Sequence, residues 1–133
     1  MLTTSYYSNI KNLDENAYTI QVSIYKPSNI EVDGKAPMFY PTRELLLQYK
    51  QKTIDANEYT KRYKIILNKN IGTVEYMLKL VDRLYELSKK YNVYLLCYEP
   101  HGFCHRRILL ECIKKFVAKH TDYGTDWIVV EKD

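Results

Sequence analysis

Two spacings of apolar residues alternate along the chain, and each change of spacing marks an element. Leu2 to Tyr7 predicts a short first strand. Tyr18 to Tyr25 alternates and is rich in β-branched residues, which predicts a second strand. It closes at the turn signal Lys26-Pro27-Ser28-Asn29. Residues 27 to 41 hold Pro27, Gly34, Pro37 and Pro41 and few aliphatic side chains, so they predict an irregular segment. It is long enough to be of the kind that carries function. A helix should follow Thr42, with Leu45, Leu46, Leu47 and Tyr49 as its apolar face. Asp55-x-x-Glu58 has capping-box form and opens a second helix, on which Tyr59, Tyr63, Ile66 and Leu67 recur at helical spacing. Thr73 caps a third helix reaching about Tyr91, lined by Val74, Met77, Val81, Leu84 and Ser88.

Val93 to Tyr98 is a nearly continuous apolar run of strand length, as in a central strand buried on both faces. A short loop leads into a fourth helix from Cys104, with Ile108, Leu109, Cys112, Ile113 and Phe116 on its apolar side. Asp126 to Val130 predicts a closing strand. Strands alternating with helices predict a single α/β domain over 1–133, a small, largely parallel, Rossmann-like sheet flanked by helices.

The length of 133 residues suits one domain that needs no staple to fold. No stretch approaches the roughly 18 consecutive apolar residues of a membrane span. The N-terminus has no basic region followed by an apolar run, so no secretory signal is expected. The expected compartment is the cytoplasm, that of the host if the gene is phage-borne. Three cysteines without an export signal read as free thiols. Lys, Tyr, Ile and Asn supply 48 of the 133 residues, a bias of AT-rich bacterial or phage coding that explains the many tyrosines and lysines without function. A net charge of +4 suits an anionic partner but is far below the loading of a dedicated nucleic-acid binder. The basic residues are dispersed, as on a solvated surface.

Chemistry concentrates in Cys97-Tyr98-Glu99-Pro100-His101-Gly102-Phe103-Cys104-His105-Arg106-Arg107, which holds two of the three cysteines and two of the three histidines. It lies where a buried strand ends and a helix begins, the place where open α/β sheets bind ligands. A helix N-terminus favours anions, and the first turn here carries two arginines that the dipole disfavours. A bound anion, or an acid such as Glu99 or Glu111, would offset that cost. Cys97 could equally be a small core residue, and Glu99 could be a structural partner of Arg106.

Leu95-Leu96-Cys97-Tyr98-Glu99 followed by Cys104-His105-Arg106 resembles the domain-of-unknown-function 488 family. That family has a strand ending Leu-Leu-Cys-x-Glu and a helix opening Cys-His-Arg. Thr4-Ser5-Tyr6-Tyr7, Ile20 to Ile24, and Glu58-Tyr59 with Tyr63 extend the similarity over about residues 2 to 115. The loop Pro100 to Phe103 differs by an extra histidine. The resemblance implies fold and site, and no reaction.

Among chemistries, zinc is disfavoured by spacing: Cys-x-x-Cys is absent, and Cys97-x6-Cys104-His105 is not a usual ligand pair. No metal and no cofactor is therefore expected; were a metal bound, Cys97, Cys104 and His105 would be its donors. Cys104, at a helix start beside His and Arg, has the setting of a low-pKa thiol with His105 or His101 as base. The Cys-x5-Arg phosphatase signature is absent. For acid–base chemistry, Glu99 would be the catalytic carboxylate and His105 the proton shuttle. Arg106 and Arg107, with Ser5, Tyr6 and Ser23 at neighbouring strand ends, would bind the ligand. The expectation is thus a small anionic, phosphate- or carboxylate-bearing, nucleotide-like ligand at Cys97–Arg107, acted on by acid–base or thiolate chemistry. The alternative is a non-enzymatic nucleic-acid or protein interaction module. No membrane partner is expected, and no oligomeric state follows from the sequence.

Overall fold

A computed structural model describes residues 1–99 and 103–131. Strands β1 (Leu2–Tyr6), β2 (Ala17–Gln21), β3 (Gly34–Lys35) and β4 (Asn92–Cys97) form one parallel sheet in the order β1-β4-β2-β3. Helices α1 (Arg43–Lys50), α2 (Ala56–Ile71) and α3 (Val74–Lys90) fill the passage from β3 to β4, and α4 (His105–His120) follows β4. The fold is α/β, as the alternation of patterns requires. Among the described residues no helix is long and apolar enough to cross a membrane.

The helix starts follow from local chemistry. Thr42 Oγ1 accepts the Leu45 amide at 3.1 Å, Asp55 Oδ1 the Glu58 amide at 2.8 Å, and Thr73 Oγ1 the Tyr76 amide at 3.1 Å. Each such cap stabilises its helix by about 1 kcal/mol. The α4 start differs: Cys104 stands at the cap without a capping hydrogen bond from its side chain, and no acid lies in the first turn.

The helix ends differ in one telling respect. Gly72, at φ 77°, ends α2 in the left-handed region that glycine adopts without cost. After α1 the amide of Lys52 donates to the Tyr49 carbonyl and that of Thr53 to the Gln48 carbonyl. That is a Schellman closure, whose left-handed position is usually glycine. Here it is Lys52, at φ 58°.

Strand β4 lies centrally between β1 and β2. Val93, Leu95, Leu96 and Cys97 are buried, and Tyr94 is half-buried. Val93 and Leu95 join Leu2, Ile20, Val81, Leu84, Leu109, Leu110 and Ile113 in the core beneath the helices. In register on the other face, Leu96 stands between Ser5 and Gln21. These are also buried, so strand burial tracks position in the sheet more than polarity.

Several sequence expectations are corrected. The second strand ends at Gln21, short of Tyr25: the Val22 amide still reaches the Leu96 carbonyl, but the chain then turns, and Ser23 Oγ bonds the Tyr25 carbonyl. The irregular segment holds the two-residue β3, too short to show a period, and a 3-10 turn at Pro37–Phe39. Asp126–Val130 is no strand. It makes one parallel bridge, Ile128 to Leu2, through Leu2 N to Trp127 O at 2.7 Å and Val129 N to Leu2 O at 2.9 Å. In α3, Val74 is exposed, while Met77, Val81 and Leu84 face inward as expected.

Candidate functional site

Parallel pairing puts Tyr6 beside Cys97, and Leu96 beside Gln21, at the same end of the sheet. The candidate residues therefore gather there. Cys97 ends β4 and Cys104 caps α4, and their two sulfurs are joined as a disulfide. The free-thiol expectation thus holds in this structure for Cys112 alone. Burial pushes the Cys112 thiol up, against the lowering charges of Lys64 and Lys115.

His105 is buried beneath Cys104. Its Nε2 lies 2.7 Å from the Val22 carbonyl oxygen, and its Nδ1 lies 3.8 Å from Cys104 Sγ. A carbonyl only accepts, so Nε2 carries the proton and donates. In the neutral ring Nδ1 then presents its lone pair to the sulfur. Burial pulls the imidazole pKa down to about 4, and the Arg106 charge adds to that pull against the Val22 hydrogen bond. The ring is therefore neutral across the physiological range. Glu99 Oε2 lies 3.7 Å from Cys104 Sγ on the other side.

Glu99, Cys104 and His105 line a cleft of 840 Å³ with Phe103, Tyr49, Lys50, Lys52, Thr53, Asp55 and Tyr59. The rings of Tyr49, Tyr59 and Phe103 pack with centroids 5.1 to 5.4 Å apart and form an aromatic wall. Burial, then the Glu99 charge, raises the Tyr59 hydroxyl pKa, so Tyr59 stays protonated. Lys50 and Lys52 are exposed at the mouth. A smaller hollow lined by Ser23, Ile24, Tyr25 and Tyr98 shares Lys50, Glu99 and His105 with the cleft.

The arginines do not line this cleft. Arg106 is fully buried and donates through Nε to Glu131 Oε1 at 2.9 Å, and through Nη1 to Cys97 Sγ at 3.1 Å and to the Glu99 carbonyl. Arg107 Nη2 lies 3.7 Å from Glu131 Oε2, and Thr4 Oγ1 also donates to Glu131. Among the described residues, the acid paired with the two arginines in the first turn of α4 is Glu131. Burial raises the Glu131 carboxyl, but the hydrogen bonds from Arg106 and Thr4 and the charges of Arg106 and Arg107 outweigh it and hold the group below its ordinary range.

Of the three expected strand-end residues, only Ser23 reaches the cleft region. Its Oγ donates to the Tyr25 carbonyl and so accepts from the Tyr7 hydroxyl at 2.6 Å, a hydroxyl that burial pushes up to about 12. Ser5 Oγ accepts from Asn9 at 3.0 Å, and the Tyr6 ring lies 5.8 Å from the Arg106 guanidinium. His101 lies outside the described residues. Sequence reasoning did not find Lys50, Lys52 or Glu131. The signal for Lys52 was a helix end at Gln51 with no glycine to close it; for Glu131 there was none.

No curated protein and no solved structure matches the chain. The family model for DUF488-N3a, described as the active DUF488-N3 subclade, matches residues 2–116. It spans β1 through most of α4 and includes every cleft residue named above, so the chain belongs to the domain-of-unknown-function 488 family.

Proposed function

We propose that the chain binds a small phosphate- or carboxylate-bearing, nucleotide-like ligand in the 840 Å³ cleft and acts on it by acid–base chemistry. The observation that carries this reading is Lys52. A lysine held in the left-handed region costs roughly 1 kcal/mol relative to glycine, and such cost concentrates where function needs the side chain. Here the strained residue places a second cation beside Lys50 at the mouth of the cleft that holds Glu99, Cys104 and His105. The wall of Tyr49, Tyr59 and Phe103 offers ring faces to a base, and Glu99 is the exposed carboxylate positioned for proton transfer. Arg106 and Arg107 serve the site indirectly, by fixing Glu131, the Cys97 sulfur and the end of β4. The word "active" in the description of the matching subclade favours chemistry over passive binding.

Calorimetric titration with a panel of nucleoside monophosphates and with inorganic pyrophosphate tests the reading. At least one probe should bind, and the Lys50→Ala/Lys52→Ala double variant should bind it about tenfold more weakly or worse, as expected for losing charge-assisted hydrogen bonds. If no probe binds and single-stranded oligonucleotides bind with steep salt dependence, the chain is an interaction module instead.

A further inference from the structure

We infer that the reduced protein holds a zinc ion between Cys97, Cys104 and His105, with a fourth position facing the cleft beside Glu99. The inference goes beyond the anion reading and does not require it. Three donor atoms, Cys97 Sγ, Cys104 Sγ and His105 Nδ1, lie within 4.8 Å of one another, all on buried residues. Two thiolates and an imidazole are the donor set zinc prefers, and three protein ligands with one open position is the arrangement of catalytic zinc.

Zinc bonds of about 2.3 Å to sulfur and about 2.0 Å to nitrogen, arranged tetrahedrally, set S···N gaps of about 3.5 Å and S···S gaps of about 3.8 Å. The observed Cys104 Sγ to His105 Nδ1 distance is 3.8 Å. The Cα atoms of Cys97 and Cys104 are 7.9 Å apart, whereas disulfides usually keep them within about 4.4–6.8 Å. Once the sulfurs are reduced, that width leaves room for an ion between them.

The surroundings match as well. A histidine that binds metal donates its other N–H to a carbonyl or carboxylate; His105 does so to Val22, which leaves Nδ1 as the free donor on the sulfur side. Arg106 Nη1 donates to Cys97 Sγ at 3.1 Å, a support for a thiolate ligand. Charge is favourable too: two thiolates neutralise the ion, and the nearby Arg106 and Arg107 share the carboxylate of Glu131. On binding, the two thiols release their protons to solvent and nothing is oxidised or reduced. The expectation against zinc rested on adjacent ligand pairs in the sequence. The fold brings the end of β4 onto the start of α4, and spacing along the chain cannot report that.

The test uses the full chain, reduced with a phosphine and freed of metal by a chelator, then titrated with cobalt(II). One equivalent should bind, with thiolate-to-cobalt charge transfer in the near ultraviolet and the visible bands of a tetrahedral ion. Zinc should displace it. Cys104→Ser and His105→Ala should weaken binding by at least about tenfold to a hundredfold, and Cys112→Ser should leave it unchanged. Alkylation of the unmodified protein guards against variants that fail to fold: zinc should protect Cys97 and Cys104 while Cys112 still reacts. The proposal is overturned if the reduced chain takes up no cobalt, if zinc leaves Cys97 and Cys104 open to alkylation, or if Cys97–Cys104 stays oxidised under the phosphine. Nucleotide binding measured on the metal-free chain reports separately on the anion reading.

Discussion

The carbonyl oxygen of Val22 accepts a hydrogen bond from His105 Nε2 at 2.7 Å, and this single bond ties the end of β2 to the start of α4. It also fixes which ring nitrogen faces the cysteines. His105→Phe keeps a ring of similar size against Tyr63, whose centroid lies 5.4 Å away, and removes the donor. The buried carbonyl is then left without a partner, which costs about 1–3 kcal/mol. Urea denaturation should show that loss with the slope unchanged. An unaltered midpoint would mean that the bond does not hold the two elements together.

Arg106 carries the second tie. It is fully buried, and it joins the end of β4 to the C-terminal segment through the Glu99 carbonyl and Glu131. Glu131→Ala leaves a buried guanidinium without its carboxylate, a change that costs about 3–5 kcal/mol in a fully buried pair. The Glu131 side chain is 22% exposed, so the lower end of that range is expected. Arg106→Lys should not restore stability, because one ammonium cannot reproduce the directed contacts of the guanidinium. Equal stability of wild type and Glu131→Ala in guanidinium unfolding would show that the pair contributes nothing.

Acid should act through the same carboxylate. The folded chain holds Glu131 below its ordinary pKa, so the fold favours the charged form. Its contribution is complete above the unfolded value of about 4.3. It is lost as pH falls through the lower folded value. Stability should therefore decline as the pH falls from the unfolded value through the folded one, and Glu131→Gln should flatten the decline while lowering the plateau at neutral pH. Unfolding midpoints across an acid pH series decide this; parallel curves for the two proteins would remove Glu131 from the account.

Much of the frame was legible because its signals are local. Thr42, Asp55 and Thr73 announce helix starts within four residues, and all three make the expected bonds. The run Val93 to Tyr98 announces a buried strand, and the chain supplies it as Asn92–Cys97, with Tyr98 exposed just past its end. The site was legible where it is contiguous: Glu99, Cys104 and His105 do line one cleft. What could not be read depends on contacts between distant segments. Nothing near Arg106 in the chain says that it will meet Glu131, 25 positions away, or that it will be sealed from the cleft. The run Asp126 to Val130 is apolar and β-branched like a strand, yet beside Leu2 it makes only one bridge. Gly34–Lys35 pairs with Ile20–Gln21 without any periodicity of its own.

Lys52 gives the sharpest separation between stability and function. Its φ of 58° lies where a side chain is disfavoured, and glycine at that position would keep the Schellman hydrogen bonds of Lys52 and Thr53. Lys52→Gly should therefore be neutral or stabilising, by up to about 1 kcal/mol. Lys52→Ala keeps the conformational cost and should gain nothing. Both substitutions remove the same cation from the mouth of the cleft, so both should weaken nucleoside monophosphate binding by a similar factor. Thermal unfolding and calorimetric titration on the two variants give four numbers. If binding follows charge while stability follows backbone geometry, the lysine is kept for its side chain at the expense of the turn. If Lys52→Gly is destabilised and binds as wild type does, the residue closes α1 and has no part in recognition.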